Sequence, residues 1–299
     1  MSTIELTPDA VPSGGPSPAE PHLAGGRSLW HNATGTVGLC IVVSLALAAV
    51  LAPVLAPYDP NAVDLSQRFD SPSLQHPLGT DGLGRDVLSR LLYGGRLSIG
   101  STVVAALGIS TIGLALGLLA GYLGGLTDTV ISRTIDALLA FPAFLVALAL
   151  TGLLGRGLPQ VTVAVVAVGW VTYARVARSV VLAERERAYV DAARALGASR
   201  VRILVKHLLP NVIGPLVVLT TLELGAILLG ISGLSFLRLS VRPPTAEWGS
   251  MLAEASTSLG RAPYLMVSPG LAIFLMVLGF NLLGDGLRDV LGRRPIPRR

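Results

Sequence analysis

The stretch Glu184–Pro210, ERERAYVDAARALGASRVRILVKHLLP, is a long polar and basic segment with membrane-grade apolar sequence on both sides. Tyr189, Ala192, Ala193 and Leu196 fall at i, i+3, i+4 and i+7, so a short helix here carries an apolar, small-residue face. Arg187, Asp191 and Arg194 lie off that face. Gly197, directly after the last periodic residue, predicts a left-handed stop, and Ser199 predicts the N-cap of a second helix. The apolar set of that second helix is Val201, Leu204, Val205 and Leu208, and Pro210 closes it. The segment therefore reads as helix, break, helix, lying at a membrane surface and offering a small-residue ridge to a partner.

The rest of the chain supplies the membrane. Of its 299 residues 52% are hydrophobic and 14% charged, with a mean hydropathy of +0.66. Soluble domains carry about 25% charged residues, so this composition belongs to an integral membrane protein with several spans. The single cysteine, Cys40, sits in an apolar run, which leaves no disulfide and no cysteine-based metal site within the chain. A formal charge of +5 is explained by basic loops on the cytoplasmic side, so membrane lipid and no nucleic acid is the expected surroundings.

Residues 1–36 are rich in Pro, Gly and Ser, contain Arg27 as their only basic residue, and read as a disordered tail rather than a cleaved signal. The first span is expected over 37–57, with an uncharged core long enough for about 30 Å of hydrocarbon. Residues 58–96 hold the aspartates and arginines of an extramembrane segment in which Val87, Leu88, Leu91 and Leu92 suggest an interfacial helix. Gly79, Gly82 and Gly84 make a weak phosphate-loop match, with no lysine after them and no strand before. No charge occurs from Leu97 to Thr127, where Gly113, Gly117 and Gly121 form a stripe suited to close helix packing within the chain. Further spans are expected at Ala137–Gly155, about Gln160–Ala174, Asn211–Phe236 and Leu265–Leu287, giving six within a chain whose core is 97–290, and 291–299 as a second tail.

If the first tail is cytoplasmic, most of the 23 basic residues fall on the inside, densest in the opening stretch. Both termini and 184–210 are then cytoplasmic, and 58–96 and 237–264 face outward. Catalytic constellations are scarce. The histidines at 22, 31, 76 and 207 show no metal-ligand spacing, and the one lysine, Lys206, follows no glycine-rich loop. Gly230-Ile231-Ser232-Gly233 resembles the serine motif of intramembrane proteases, but no histidine follows residue 207 to serve as its base. Glu223 is an ionisable group inside a span and is a candidate for a substrate pathway, with a buried structural pairing as the alternative.

The opening stretch is similar to the EAA loop of permease subunits of ATP-binding-cassette importers. Asp191-Ala192-Ala193 is followed three residues later by Gly197, and Leu209-Pro210 closes the motif in register, with His207 where isoleucine is usual. HPLGTDGLGRDVLSRLLYGGRLSIG, AGYLGGLTDTVISRTIDALLAFPAFLVALAL and FNLLGDGLRD likewise resemble the C-type permease of the dipeptide, oligopeptide and nickel group. In LGISGLSFLRLSVRPPTAEWGSML, Gly230, Arg238 and Ser240 depart from that pattern.

The resemblance implies an all-α type I importer permease fold with a cytoplasmic coupling helix over Tyr189–Leu196, which docks on an ATPase. Tyr189, Asp191, Ala192, Ala193, Leu196, Gly197, Leu209 and Pro210 would serve that coupling. It also implies a homologous second permease, two ATP-binding subunits holding ATP and magnesium, an extracytoplasmic solute-binding protein, no cofactor on this chain and no enzymatic activity of its own. The implied cargo is a di- or oligopeptide, with nickel or a metal chelate as the alternative; a secondary transporter is the reading outside this class.

Overall fold

The computed structural model describes residues 33–291, so most of the first tail and residues 292–299 of the second lie outside the described part. Among the described residues there is no strand, only an isolated bridge between Thr80 and Asp86. The helices are α1 (Ala33–Val50), α2 (Ala52–Leu55), α3 (Val87–Leu123), α4 (Gly125–Leu139), α5 (Ala143–Leu154), α6 (Leu158–Glu184), α7 (Ala188–Ala195), α8 (Arg200–Ile203), α9 (Leu209–Phe236), α10 (Trp248–Ser256) and α11 (Tyr264–Leu291). Five of these stretches are long and apolar enough to cross a membrane, and α4 with α5 makes a sixth if that bent pair counts as one span.

Three expected boundaries are corrected. The interfacial helix is not separate: Asp86 caps α3 by accepting from the backbone N–H of Ser89 at 2.7 Å, and the helix then runs unbroken for 37 residues. At 1.5 Å per residue it is about 55 Å long, so its first turns project beyond a hydrocarbon layer of about 30 Å. The span expected at Ala137–Gly155 is no straight helix; α4 and α5 meet at 93°. Pro142 brings no N–H and disfavours helical backbone at Phe141 before it, so the helix cannot continue through this point. The first span is helical from Ala33 to Val50 and gives way to the short α2, which has proline in its first turn.

Glycines set how the long helices meet. A Cβ added at Gly113 would stand 2.3 Å from the Cβ of Tyr173, one at Gly117 2.5 Å from that of Ala177, and one at Gly121 2.8 Å from that of Val181. The stripe read from the sequence is therefore the α3 face against which α6 lies, and its bare backbone admits the close approach. Between α1 and α11, Gly38 and Gly279 play the same part, with a Cβ at Gly38 falling 2.4 Å from the backbone N of Leu283. Three apolar clusters result among the described residues, the smallest of them Ile135, Val171 and Ala174 between α4 and α6. One of the larger two joins α3, α5 and α6 to α7 and α9 around Tyr173, Val190, Leu208 and Ile231. The other gathers α9, α10 and α11 around Trp248, Leu228 and Met276.

Candidate functional site

The turn from α6 to α9 is built by local chemistry. The backbone N–H of Gly197 donates to Arg194 O at 2.9 Å and that of Ala198 to Ala193 O at 3.0 Å, the paired bonds of a Schellman stop, with Gly197 at φ +77°. Ser199 then caps α8, its hydroxyl accepting from Arg202 N at 3.3 Å. On α7, Asp191 near the N-terminus and Arg194 in the last turn complement the helix dipole and pair with each other at 2.9 Å.

The face expected to be offered to a partner is the open one. Tyr189 is 41% and Leu196 88% exposed, Asp191, Ala192 and Gly197 are exposed, and Ala193 is half-buried. What holds α7 down is Val190, fully buried against the core shared by α6 and α9, a residue outside the periodic set.

From α8 onward the structure departs in part from the sequence reading. Of the expected apolar set Leu208 is buried and Leu204 half-buried, but Val201 and Val205 are 70% and 53% exposed, and Ile203, outside that set, is buried. Residues Leu204–Leu208 form a π-helical turn, so the inward step is five from Ile203 to Leu208 and returns to four from Leu208 to Val212, which puts all three on one side. Pro210 does not close the segment either; it sits in the first turn of α9, where its missing N–H is tolerated, and the helix continues.

Tyr189 does more than form a ridge. Its hydroxyl donates to Glu184 Oε2 at 2.8 Å and accepts from Asn211 Nδ2 at 3.2 Å, bridging the end of α6 and the start of α9. Asn211 Nδ2 also donates to the carbonyl of His207 inside the π turn at 2.8 Å. At the same end of the bundle Arg185 donates to Gly121 O at 2.9 Å, and Arg178 makes a two-pronged pair with Asp128, linking α6 to α3 and α4. The coupling candidates are thus brought together, with Leu209 half-buried and Pro210 exposed beside them.

Glu223 stands apart, about 20 Å farther along α9. It lines a cavity of about 460 Å³ between α5, α6 and α9, whose other walls include Ile109, Phe144, Val168 and Leu234. A carboxylate in an otherwise apolar cavity can meet a polar solute or gate its passage. Ser232 of the protease-like motif is buried where α9 crosses α10; a Cβ at Gly249 would stand 2.4 Å from its carbonyl oxygen. His207 lies at the far end of α9, about 37 Å away by helical rise, so no dyad forms.

Two features were not read from the sequence. Glu247, fully buried, caps α10 by accepting from Gly249 N and Ser250 N at 3.0 and 2.9 Å, and it also accepts from the hydroxyl of Ser98 on α3 at 3.0 Å. Burial pushes its carboxyl above the usual range, while the two amides and the hydroxyl pull the other way. Arg85 and Arg90, both buried, share Asp81 and Glu254: Arg85 reaches the two carboxylates at 2.6 and 2.7 Å, Arg90 at 3.4 and 3.0 Å. Gly79 and Gly84, at φ +76° and +72°, shape the loop that presents Asp81 and Arg85; a Cβ at Gly84 would fall 1.7 Å from Asp64 O. These glycines hold a fold, not a phosphate.

Residues 113–296 match the family described as binding-protein-dependent transport system inner membrane component, more than half of the chain. The chain belongs to that family. Residues 26–77 match the N-terminal transmembrane domain of oligopeptide transport permease C. This permease is 44% identical over 253 residues to the nickel transport system permease protein NikC of Escherichia coli, covering 85% of this chain and 91% of the relative. It is 40% identical to the dipeptide transport system permease protein DppC of Alkalihalophilus pseudofirmus (89% and 87% covered). It is 41% identical to the glutathione transport system permease protein GsiD of Pectobacterium atrosepticum (89% and 88% covered). It is a multi-pass inner-membrane permease of the ATP-binding-cassette importer class, in the dipeptide, oligopeptide and nickel group. The secondary-transporter and protease readings fall away.

Proposed function

We propose that this permease imports di- or oligopeptides, and that α7 is the coupling helix through which two partner ATPases drive alternating access. The observation that carries the coupling is the combination at α7: an exposed small-residue face, a fixed glycine stop, and a tyrosine hydroxyl tied to both α6 and α9. A push on such a helix is passed as a rigid-body movement to two long helices at once. ATP and magnesium bind in the partner subunits and none on this chain. A homologous second permease completes the pathway, an extracytoplasmic solute-binding protein delivers the cargo, and both termini lie in the cytoplasm, as the distribution of arginines supports.

The peptide cargo is supported by the similarity to the dipeptide and glutathione permeases. The similarity to NikC favours a second reading, nickel or a nickel chelate. The test is uptake by energised membrane vesicles containing the complete assembly, with a labelled dipeptide, a labelled tripeptide and radioactive nickel in parallel. ATP-dependent accumulation of peptide supports the first reading; nickel alone supports the second. Failure to isolate two ATPase chains with the permease would overturn the coupling assignment.

A further inference from the structure

At the opposite end of the bundle from α7 lies a cavity of about 380 Å³, enclosed by residues 68–90 and the segment around α10. Its apolar surface comes from Phe69, Leu83, Val87, Met251 and Leu265. Four guanidinium groups, of Arg68, Arg85, Arg90 and Arg238, and two carboxylates, of Asp81 and Glu254, also line it. The carboxylates are already shared between the two buried arginines, and Arg90 donates in addition to Pro244 O at 3.0 Å. Arg85 Nη1, on a side chain 4% exposed, has no acceptor among the described residues. Arg68 spends its Nε on Gly82 O at 2.7 Å, and neither Arg68 nor Arg238 pairs with a carboxylate among the described residues. The cavity therefore combines a surplus of planar cationic donors with an apolar floor. The two non-glycine residues with positive φ among the described residues, Phe69 at 61° and Arg238 at 63°, both line it. At Arg238 this is the left-handed position of a Schellman stop of α9, its N–H donating to Ser235 O at 2.8 Å and that of Leu239 to Leu234 O at 3.2 Å, which costs a non-glycine residue energy that the surrounding structure must offset.

We propose that this cavity is a binding site for a carboxylate carried on an apolar body, with Arg238 and Arg68 at the rim closing on the anion and Arg85 supplying a buried donor. A guanidinium fork matches a flat carboxylate in two-pronged fashion, and the desolvated floor takes the attached hydrocarbon. The site stands on its own residues and does not depend on which cargo is carried. Such a carboxylate belongs either to a free solute or to an acidic side chain of a docked protein.

N-acetyl-leucine and its amide serve as probes, titrated calorimetrically against the full-length permease with its membrane partners. The expected result is at least tenfold tighter binding of the acid than of the amide. Arg238→Gly, which also relieves the positive φ, and Arg68→Ala should each weaken the acid at least fivefold without lowering the melting temperature. Repeating the titration with the solute-binding protein docked separates the sources. Competition marks an acidic side chain of that protein, and independence marks a free solute; this arm alone rests on the transport reading. Equal binding of acid and amide overturns the proposal. So does absence of binding together with docking that is insensitive to Arg238→Gly.

Discussion

The side-chain amide of Asn211 donates to the hydroxyl of Tyr189 across 3.2 Å, joining α7 to the start of α9 over 22 positions of sequence. Because the same hydroxyl donates to Glu184 at the end of α6, one oxygen ties the exposed helix to two long ones. Tyr189→Phe keeps the ring and removes the link. Each lost hydrogen bond is worth about 1 kcal/mol, so the assembled permease should remain folded. Uptake per ATP hydrolysed should fall several-fold; an unchanged ratio would assign the hydroxyl to stability alone.

On the open face, Ala192 is exposed and Ala193 half-buried, which makes Ala192 the cleaner probe of docking. Ala192→Arg should change stability by no more than about 0.5 kcal/mol, as exposed substitutions do. ATP-driven uptake should drop at least tenfold, or the ATPase chains should no longer co-purify. Ala193→Arg should give the same uncoupling with membrane insertion intact. Normal transport in both variants would remove α7 from the coupling role.

Gly117 faces Ala177 so closely that an added Cβ would lie 2.5 Å away. Gly117→Leu must push α3 and α6 apart, and overpacking of this kind costs about 1–3 kcal/mol or more. A lowered melting temperature in detergent is expected; Gly100→Leu, where an added Cβ meets nothing within 4 Å, is the control and should stay near the parent value.

Glu223→Gln removes the charge from the 460 Å³ cavity at nearly constant volume. If Glu223 lines the pathway, the KM for uptake or its maximal rate changes at least fivefold while ATPase subunits still assemble. Unchanged uptake kinetics would return Glu223 to a structural part.

For Glu247, burial raises the folded-state pKa above its ordinary value of 4.5. The native state then holds its proton to higher pH than the unfolded chain. The stabilisation this gives is complete below 4.5 and is lost as pH rises through the folded pKa. Melting temperature should therefore decline with rising pH over that interval, and Glu247→Gln should remove this part of the slope. The substitution should also cost about 1–3 kcal/mol, because a side-chain NH₂ cannot accept from the backbone N–H of Ser250.

What the sequence by itself determined was carried by near neighbours. The Gly197 stop, the Ser199 cap, the α3 glycine stripe and most spans depend on spacings of a few residues, and periodicity reads those directly. The register of Asp191-Ala192-Ala193 to Leu209-Pro210 was enough to indicate the family.

The tertiary structure decided what depends on distant partners. Val190 is buried because α6 and α9 converge on it, and the π turn that turns Val201 and Val205 outward and brings Ile203 inward beside Leu208 accompanies the continuation through Pro210. Whether α4 and α5 cross as one rod was fixed by backbone geometry at Pro142, which apolar composition does not reveal. The pairing of Arg85 and Arg90 with Glu254 spans 169 and 164 positions, and Ser98 meets Glu247 across 149. Local preference carries no information about such separations. Only the packed chain, by desolvating these charges, forces each to find its partner.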